Sequence, residues 1–371
     1  MTQNPEQLLS METSKLMSLA TDLRQEYWGD YITYSRKVFV PLTNMCRDTC
    51  GYCSFVKHPS HAEAEILSPD QILKIARSGE DTGCKELLFS LGEKPEQRYE
   101  EARSALAALG HTCMSDYIYE MCTLVLNETS LVPHVNAGTL ERHELSALKE
   151  VSGSCGMMLE NVSRRLTQKG FPHYACPDKV PVQRIRTLER AGEIKVPFTT
   201  GILIGIGESW QERIDSLVAI ANLHKKYGHI QEVIVQNFQP RPGIAMENHP
   251  APTLEDMLRT LAMARLILPP DISLQAPPNL SDRHTQYLAA GINDWGGISP
   301  VTIDHINPFH AWPEIEMLAK NTALMGCTLQ ERLTVYPAYQ DSKRGYLAPE
   351  IAERVGNMAR PDGYAKSQEL R

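Results

Sequence analysis

The sequence predicts an α/β fold closing as a (β/α)8 barrel. Eight short apolar runs alternate with longer stretches of helical periodicity, and eight parallel strands is the number that closes a barrel. No low-complexity linker divides the chain, and no repeat shows beyond the βα alternation itself. A doubly wound open sheet is the structural alternative. The 371 residues exceed the ~100 to 200 of an ordinary domain, yet a decorated barrel reaches ~250 and more. With 42% hydrophobic and 22% charged residues there is ample material for a large core and no compositional mark of disorder.

Taken in order, residues 2–26 carry Leu8, Leu9, Leu16, Leu19, Ala20 and Leu23 at roughly helical spacing, which reads as an amphipathic helix packing on the body of the protein. Strands are expected at 38–42, 86–90, 131–136, 156–159, 198–204, 232–238, 273–276 and 295–298. Helices are expected at 69–82, 95–109, 115–128, 140–149, 181–191, 209–227, 254–268 and 281–290. Several carry start signals: Ser68 before Pro69, Thr139 ahead of Glu141 and Arg142, and Glu208-Ser209 after Gly207. The implied organisation is an N-terminal helical extension over 1–30, a barrel over 31–340 and a polar, peripheral C-terminal extension over 341–371.

Charge and cysteine usage narrow the function classes. Lys+Arg 37 against Asp+Glu 45 gives −8, which offers no field for holding phosphate backbones or anionic membranes. Neither nucleic acid nor membrane is an expected partner. The first thirty residues lack the basic start and apolar run of a signal peptide, and no apolar run approaches the ~20 residues of a membrane span. Nine cysteines, an odd number scattered over a long chain, do not read as a secreted disulfide framework. The expected compartment is the cytoplasm.

Three of those cysteines, Cys46, Cys50 and Cys53, spell C-x3-C-x2-C in the loop directly after the first strand, and C-terminal strand ends are where barrels carry their chemistry. Soft thiolates select zinc or iron-sulfur clusters. A closed zinc site needs a fourth ligand, for which His58 is nearby; three thiolates alone suit a 4Fe-4S cluster with one open iron. Ordinary loop cysteines are the bland reading. This spacing, with Tyr52 just before the last cysteine, resembles the signature of the radical S-adenosylmethionine (SAM) enzymes, whose barrels are of the TIM type. The resemblance implies a [4Fe-4S] cluster on Cys46, Cys50 and Cys53, SAM chelated at the open iron, and a low-potential electron donor that drives formation of a 5′-deoxyadenosyl radical.

The same resemblance assigns further nucleotide contacts. Gly92 and Glu93 fall where the family's GGE-type motif meets the methionyl ammonium, and Glu160 falls where a carboxylate accepts the ribose hydroxyls. Arg184 matches the residue that neutralises the methionyl carboxylate, with Arg186 as the bland alternative. The segment from Gly201 to Glu208 resembles the G-x-I-x-G-x-x-E motif, in which Ile204 would pack on adenine and Gly205 would let the backbone approach. Read without the family, each is equally a turn, a cap or a solvated helix face.

Beyond the cluster loop, Phe89 to Glu96, Val135 to Gly138, Val235 to Pro240 and Asp294 to Pro300 resemble the first-subunit branch of the FO synthases, where FO is 7,8-didemethyl-8-hydroxy-5-deazariboflavin. The resemblance covers about Tyr31 to Ala338. It implies a partner, the second radical subunit of the FO synthase pair, that supplies an adduct of tyrosine-derived p-hydroxybenzyl carbon and 5-amino-6-(D-ribitylamino)uracil. With a single C-x3-C-x2-C the chain reads as one half of that pair. Asn136, Asn237 and Asn279 are candidates for binding the uracil edge and the ribityl chain at strand ends, and Asp294, Asp304 and His305 for acid-base work. The alternatives are a related radical enzyme of the deazaflavin or menaquinone pathways, and a non-catalytic iron-sulfur or zinc protein.

Overall fold

A computed structural model describes residues 5–366. Eight parallel strands close on themselves: β1 (Tyr31–Thr43), β2 (Glu86–Leu91), β3 (Val132–Asn136), β4 (Ser154–Gly156), β5 (Phe198–Ile204), β6 (Ile230–Asn237), β7 (Ser273–Gln275) and β8 (Asp294–Ile298) pair in chain order, and β1 joins both β8 and β2. The barrel is therefore real and the open-sheet alternative falls. Strands buried on both faces are near-continuous apolar runs, which is why they stood out in the sequence. β4 sits two residues earlier than expected, because Cys155 and Gly156 pair with Phe198 and Thr199; the chain stays beside β5 up to a bridge between Glu160 and Ile202.

The helical layer begins with α1 (Pro5–Ser10) and α2 (Thr13–Trp28), two helices where one was expected. It continues with α3 (Pro69–Asp81), α4 (Glu100–Ala108), α5 (Met114–Glu128), α6 (Arg142–Val151), α7 (Pro181–Glu193), α8 (Trp210–Tyr227), α9 (Leu254–Ile267), α10 (Ile315–Leu324) and α11 (Pro349–Met358). Capping follows the sequence at α3 and α8, where Ser68 and Ser209 each bond the third residue of the helix in reciprocal boxes, and Thr253 caps α9 in the same way. At α6 the cap is Glu141 with Glu144, and Thr139 is free for the site described below. Between β7 and β8 the expected helix is only a 3-10 turn, His284–Ala290. Helix α2 packs against that turn and α9, so the N-terminal segment completes the outer ring.

A ninth strand, β9 (Thr328–Glu331), lies parallel to the first residues of β1. The chain then crosses beneath the barrel. Arg332 donates to Asp294 and Glu232, Thr334 Oγ1 bonds Ser154 Oγ (2.7 Å), and Gln231 bonds both the Thr334 carbonyl and the Tyr336 amide. Leu333 and Val335 are fully buried there. The tail read as polar and peripheral also contributes apolar contacts: Tyr346, Leu347, Ile351 and Val355 bury against Tyr336, Tyr339 and Val132. The N-terminal mouth of the barrel is thus sealed, and the opposite mouth holds the cysteine loop.

Candidate active site

The loop after β1 brings Cys46, Cys50 and Cys53 to one cavity of about 350 Å³ at the C-terminal end of the barrel. All three are free thiols. Backbone contacts from the second strand end fix the first of them: Gly92 N donates to Thr43 O, Arg47 N to Glu93 O, and Glu93 N points at Cys46 Sγ at 3.1 Å. A Cβ on Gly92 would collide with the Met45 carbonyl and Cys46, so only glycine lets β2 approach this closely. Burial pushes the Cys46 thiol up to about 12 and raises Cys53 as well; a hydrogen bond with Cys176, then burial, raises Cys50. A bound metal ion would offset that cost by stabilising the thiolates. The donor set fits a cluster held by three cysteines. His58, the residue open as a fourth zinc ligand, is exposed, bonds Ser60 and lies outside the cavity.

Beside the cysteines the structure gathers the residues singled out for the nucleotide. Arg184 is 3% exposed whereas Arg186 is exposed, which separates the two alternatives. Its Nε donates to the Met158 carbonyl (2.6 Å), and its Nη1 to the Asp178 carbonyl (3.0 Å) and towards Glu93 (3.5 Å). Glu93 also accepts from the amide and hydroxyl of Thr139. Gly138, at φ +74°, could carry no side chain without striking the Glu93 carboxylate. Glu160 holds a left-handed backbone, φ +64°, and pairs with Lys179 at 2.7 Å. Against the cost of burial, Lys179 and Arg184 keep the Glu160 carboxyl below its ordinary range. Tyr52 bonds His173 Nε2 through its hydroxyl (3.1 Å) and lines the cavity.

The expectation for Ile204 requires correction. Strand side chains alternate faces, and Ile204 packs outward into the main core while Leu203 lines the cavity. Counted from Gly201 to Glu208, the aliphatic position of the motif falls on Leu203, so motif register and strand parity agree. Gly205 turns at φ +85° against Pro252, and its amide is held by Glu208, which also pairs with Arg213. Glu208 therefore braces the turn.

The candidate acid-base and substrate residues divide. Asp294 lies at the sealed end, fully buried, and is taken up by Arg332, Thr33 and the Gly296 amide, so it has no access to the cavity. Asp294 opens β8, at the end of the strand away from the cysteine loop, as the expected strand over 295–298 already implied. Asp304 faces the cavity but is saturated by Ile306 N, Asn307 and Asn279 Nδ2, which makes it the knot of the loop after β8. Asn279 serves that knot and does not line the cavity. His305, Asn136 and Asn237 do line it; His305 Nε2 and Asn237 Oδ1 are buried without a partner. Burial holds His305 below its ordinary pKa, with Asp304 opposing.

Sequence reasoning missed several residues. Asp48, Asp178 and Lys179 join the charged cluster around Glu93 and Glu160; burial, with Glu93 and Asp178 adding to it, pushes Asp48 up to about 6. Arg47 pairs with Asp178. Trp312 stacks on Phe39 with ring centroids 5.1 Å apart, and its Nε1 has no partner among the described residues. None of these follows a spacing rule.

Comparison with known proteins agrees with this geometry. Residues 40–220 match the Radical SAM superfamily. Methylornithine synthase (PylB) superposes with a TM-score of 0.69 at 18% identity, covering 88% of this chain and 92% of its own; the FeFe-hydrogenase maturase HydG from Carboxydothermus hydrogenoformans superposes at 0.71 and 18%, covering 93% and 81%. These likenesses speak to the barrel alone. The chain is 47% identical to FO synthase of Mycobacterium tuberculosis over 89% of its length but spans only 39% of that protein. It is also 47% identical over 337 residues to the 7,8-didemethyl-8-hydroxy-5-deazariboflavin synthase of Methanopyrus kandleri, covering 90% of this chain and 100% of that one. A closed barrel, three cysteines on its first loop and likeness along the whole of a relative converge: the chain belongs to the 7,8-didemethyl-8-hydroxy-5-deazariboflavin synthase family of radical SAM enzymes.

Proposed function

We propose that the protein converts 5-amino-5-(4-hydroxybenzyl)-6-(D-ribitylimino)-5,6-dihydrouracil into FO with release of ammonia, consuming SAM. The observation that carries the reading is the convergence of Cys46, Cys50 and Cys53 with Glu93, Glu160 and Arg184 on one cavity, in a chain that matches a relative of that name over its full length. Cys46, Cys50 and Cys53 would hold a [4Fe-4S] cluster, which when bound supplies the electron that cleaves SAM. Glu93 would take the methionyl ammonium, Arg184 its carboxylate and Glu160 the ribose hydroxyls. The Lys179 partner keeps Glu160 ionised, and the Thr139 donors orient Glu93. Apolar side chains above the barrel, Leu203, Ile206, Phe238 and Ile244, form a buried patch with Tyr52 packed on it, which keeps water from a reactive carbon. His305 is the remaining candidate to move a proton at the substrate.

The reading further assigns a second radical subunit as the source of the adduct, a low-potential electron donor, and a cytoplasmic setting. No described helix is long and apolar enough to cross a membrane. Anaerobic reconstitution followed by product analysis tests the whole. Wild-type protein supplied with the synthetic adduct, SAM and a strong reductant is expected to give 5′-deoxyadenosine and FO, and Cys50→Ser neither. Turnover that requires free tyrosine in place of the adduct would refute the assignment in favour of the other half of the pair.

A further inference from the structure

Barrel interiors of this architecture are ordinarily filled by branched apolar side chains. Here the inner face of β6 and β7 carries a polar column. Glu232 and Gln236 lie on β6, and Gln275 lies between them in height, because it pairs level with Ile234. Gln236 stands four positions beyond Glu232, roughly 13 Å of strand. The side chains of Gln236 and Gln275, and that of Asn136 on β3, line the cavity without a hydrogen bond to any described residue. Unpaired amides that face a cavity are free to donate to and accept from a ligand entering it. Glu232 is engaged only from below and beside, by Arg332 Nη2 at 2.9 Å and Thr199 Oγ1 at 3.0 Å.

The chemistry of that ligand follows from the charges. Lys37, which lines the lower cavity, is taken up by Glu86 at 2.6 Å, and Arg332 is taken up by Asp294 and Glu232. Among the described residues the lower cavity therefore offers no uncompensated cation to a phosphate or carboxylate; a neutral group that both donates and accepts at several heights would find partners. Hydroxyls on a linear chain have that property. Nearer the cysteines, the stacked pair of Phe39 and Trp312 offers an aromatic wall to a planar ring.

We propose that the column of Gln236, Gln275 and Glu232, faced by Asn136, is the subsite for the polyhydroxylated chain of the substrate, which binds tail-down with its ring system at the level of Trp312. This rests on the deazaflavin reading and adds to it an orientation and a source of specificity. The chain descends into the barrel and does not lie across the strand ends, where the sequence alone placed its partners.

The test is a fluorescence titration of the anaerobic, cluster-loaded enzyme with two ligands: FO, and the same deazaflavin ring bearing a methyl group in place of the ribityl chain. Wild-type enzyme is expected to bind FO at least about tenfold more tightly, several hydroxyl contacts being at stake. Gln236→Leu and Gln275→Leu should each shrink that ratio several-fold by weakening FO binding. Equal affinity of the wild-type enzyme for both ligands overturns the inference, as do variants that weaken both ligands alike. The wild-type comparison decides the matter even if a leucine variant fails to fold. An enzyme that binds neither ligand and makes no FO from the adduct overturns the deazaflavin reading itself.

Discussion

Three buried histidines show how much a single side chain can contribute to the pH response of the protein. Burial holds His134, His173 and His229 at about 3 each. An unfolded histidine takes up its proton near 6.5, so between about 3 and 6.5 the unfolded state binds more protons than the native state. Stability therefore falls as pH drops below 6.5, by up to ~1.4 kcal/mol per pH unit for each residue. His229 isolates the effect, because it is fully buried and packs between Phe198 and Tyr227, away from the cavity. His229→Phe is expected to raise the urea midpoint more at pH 5 than at pH 8; an equal shift at both would remove this residue from the account. Little of this was legible in the sequence, where a histidine carries no sign of its depth. The cysteines were legible because three soft ligands at fixed spacing have few other uses. Lys179 and Asp178 were not, since they lie about 130 residues from the cysteines and reach them only through the fold.

At the scale of elements, the first two strand ends act as one unit. Gly92 lets the end of β2 lie against Met45, and the amides it positions hold Cys46. Gly92→Ala forces backbone apart, since no flexible side chain can yield there, and is expected to cost about 1 to 3 kcal/mol while lowering the iron bound per chain after reconstitution. Full iron content in a destabilised variant would separate packing from cluster assembly and sink the coupling. The sequence disclosed most of the barrel strands because they are apolar runs flanked by turns. It concealed β9, which is short and largely polar, and the missing helix before β8, whose place is filled by α2 from the other end of the chain. Strand parity was the costlier gap. The uniformly apolar end of β5 does not show by pattern that Leu203 is inward and Ile204 outward; only the count from Gly201 along the G-x-I-x-G-x-x-E segment, which puts the aliphatic position at Leu203, marks it.

For the molecule as a whole, the crossing segment after β9 does more than cap the barrel. Arg332, 2% exposed, neutralises Asp294 and Glu232 from underneath. Burial, with Asp294 adding to it and Arg332 opposing, pushes Glu232 up to about 7. Arg332→Met leaves two carboxylates buried without their cation and is expected to cost about 3 to 5 kcal/mol. Adding Asp294→Asn and Glu232→Gln should recover part of the loss in a denaturant melt; no recovery would mean that the arginine acts by packing alone. The sealed floor also governs traffic. A vessel with one mouth imposes a queue on whatever it binds: a ligand seated on the floor has to enter before one seated at the rim, and can leave only after it.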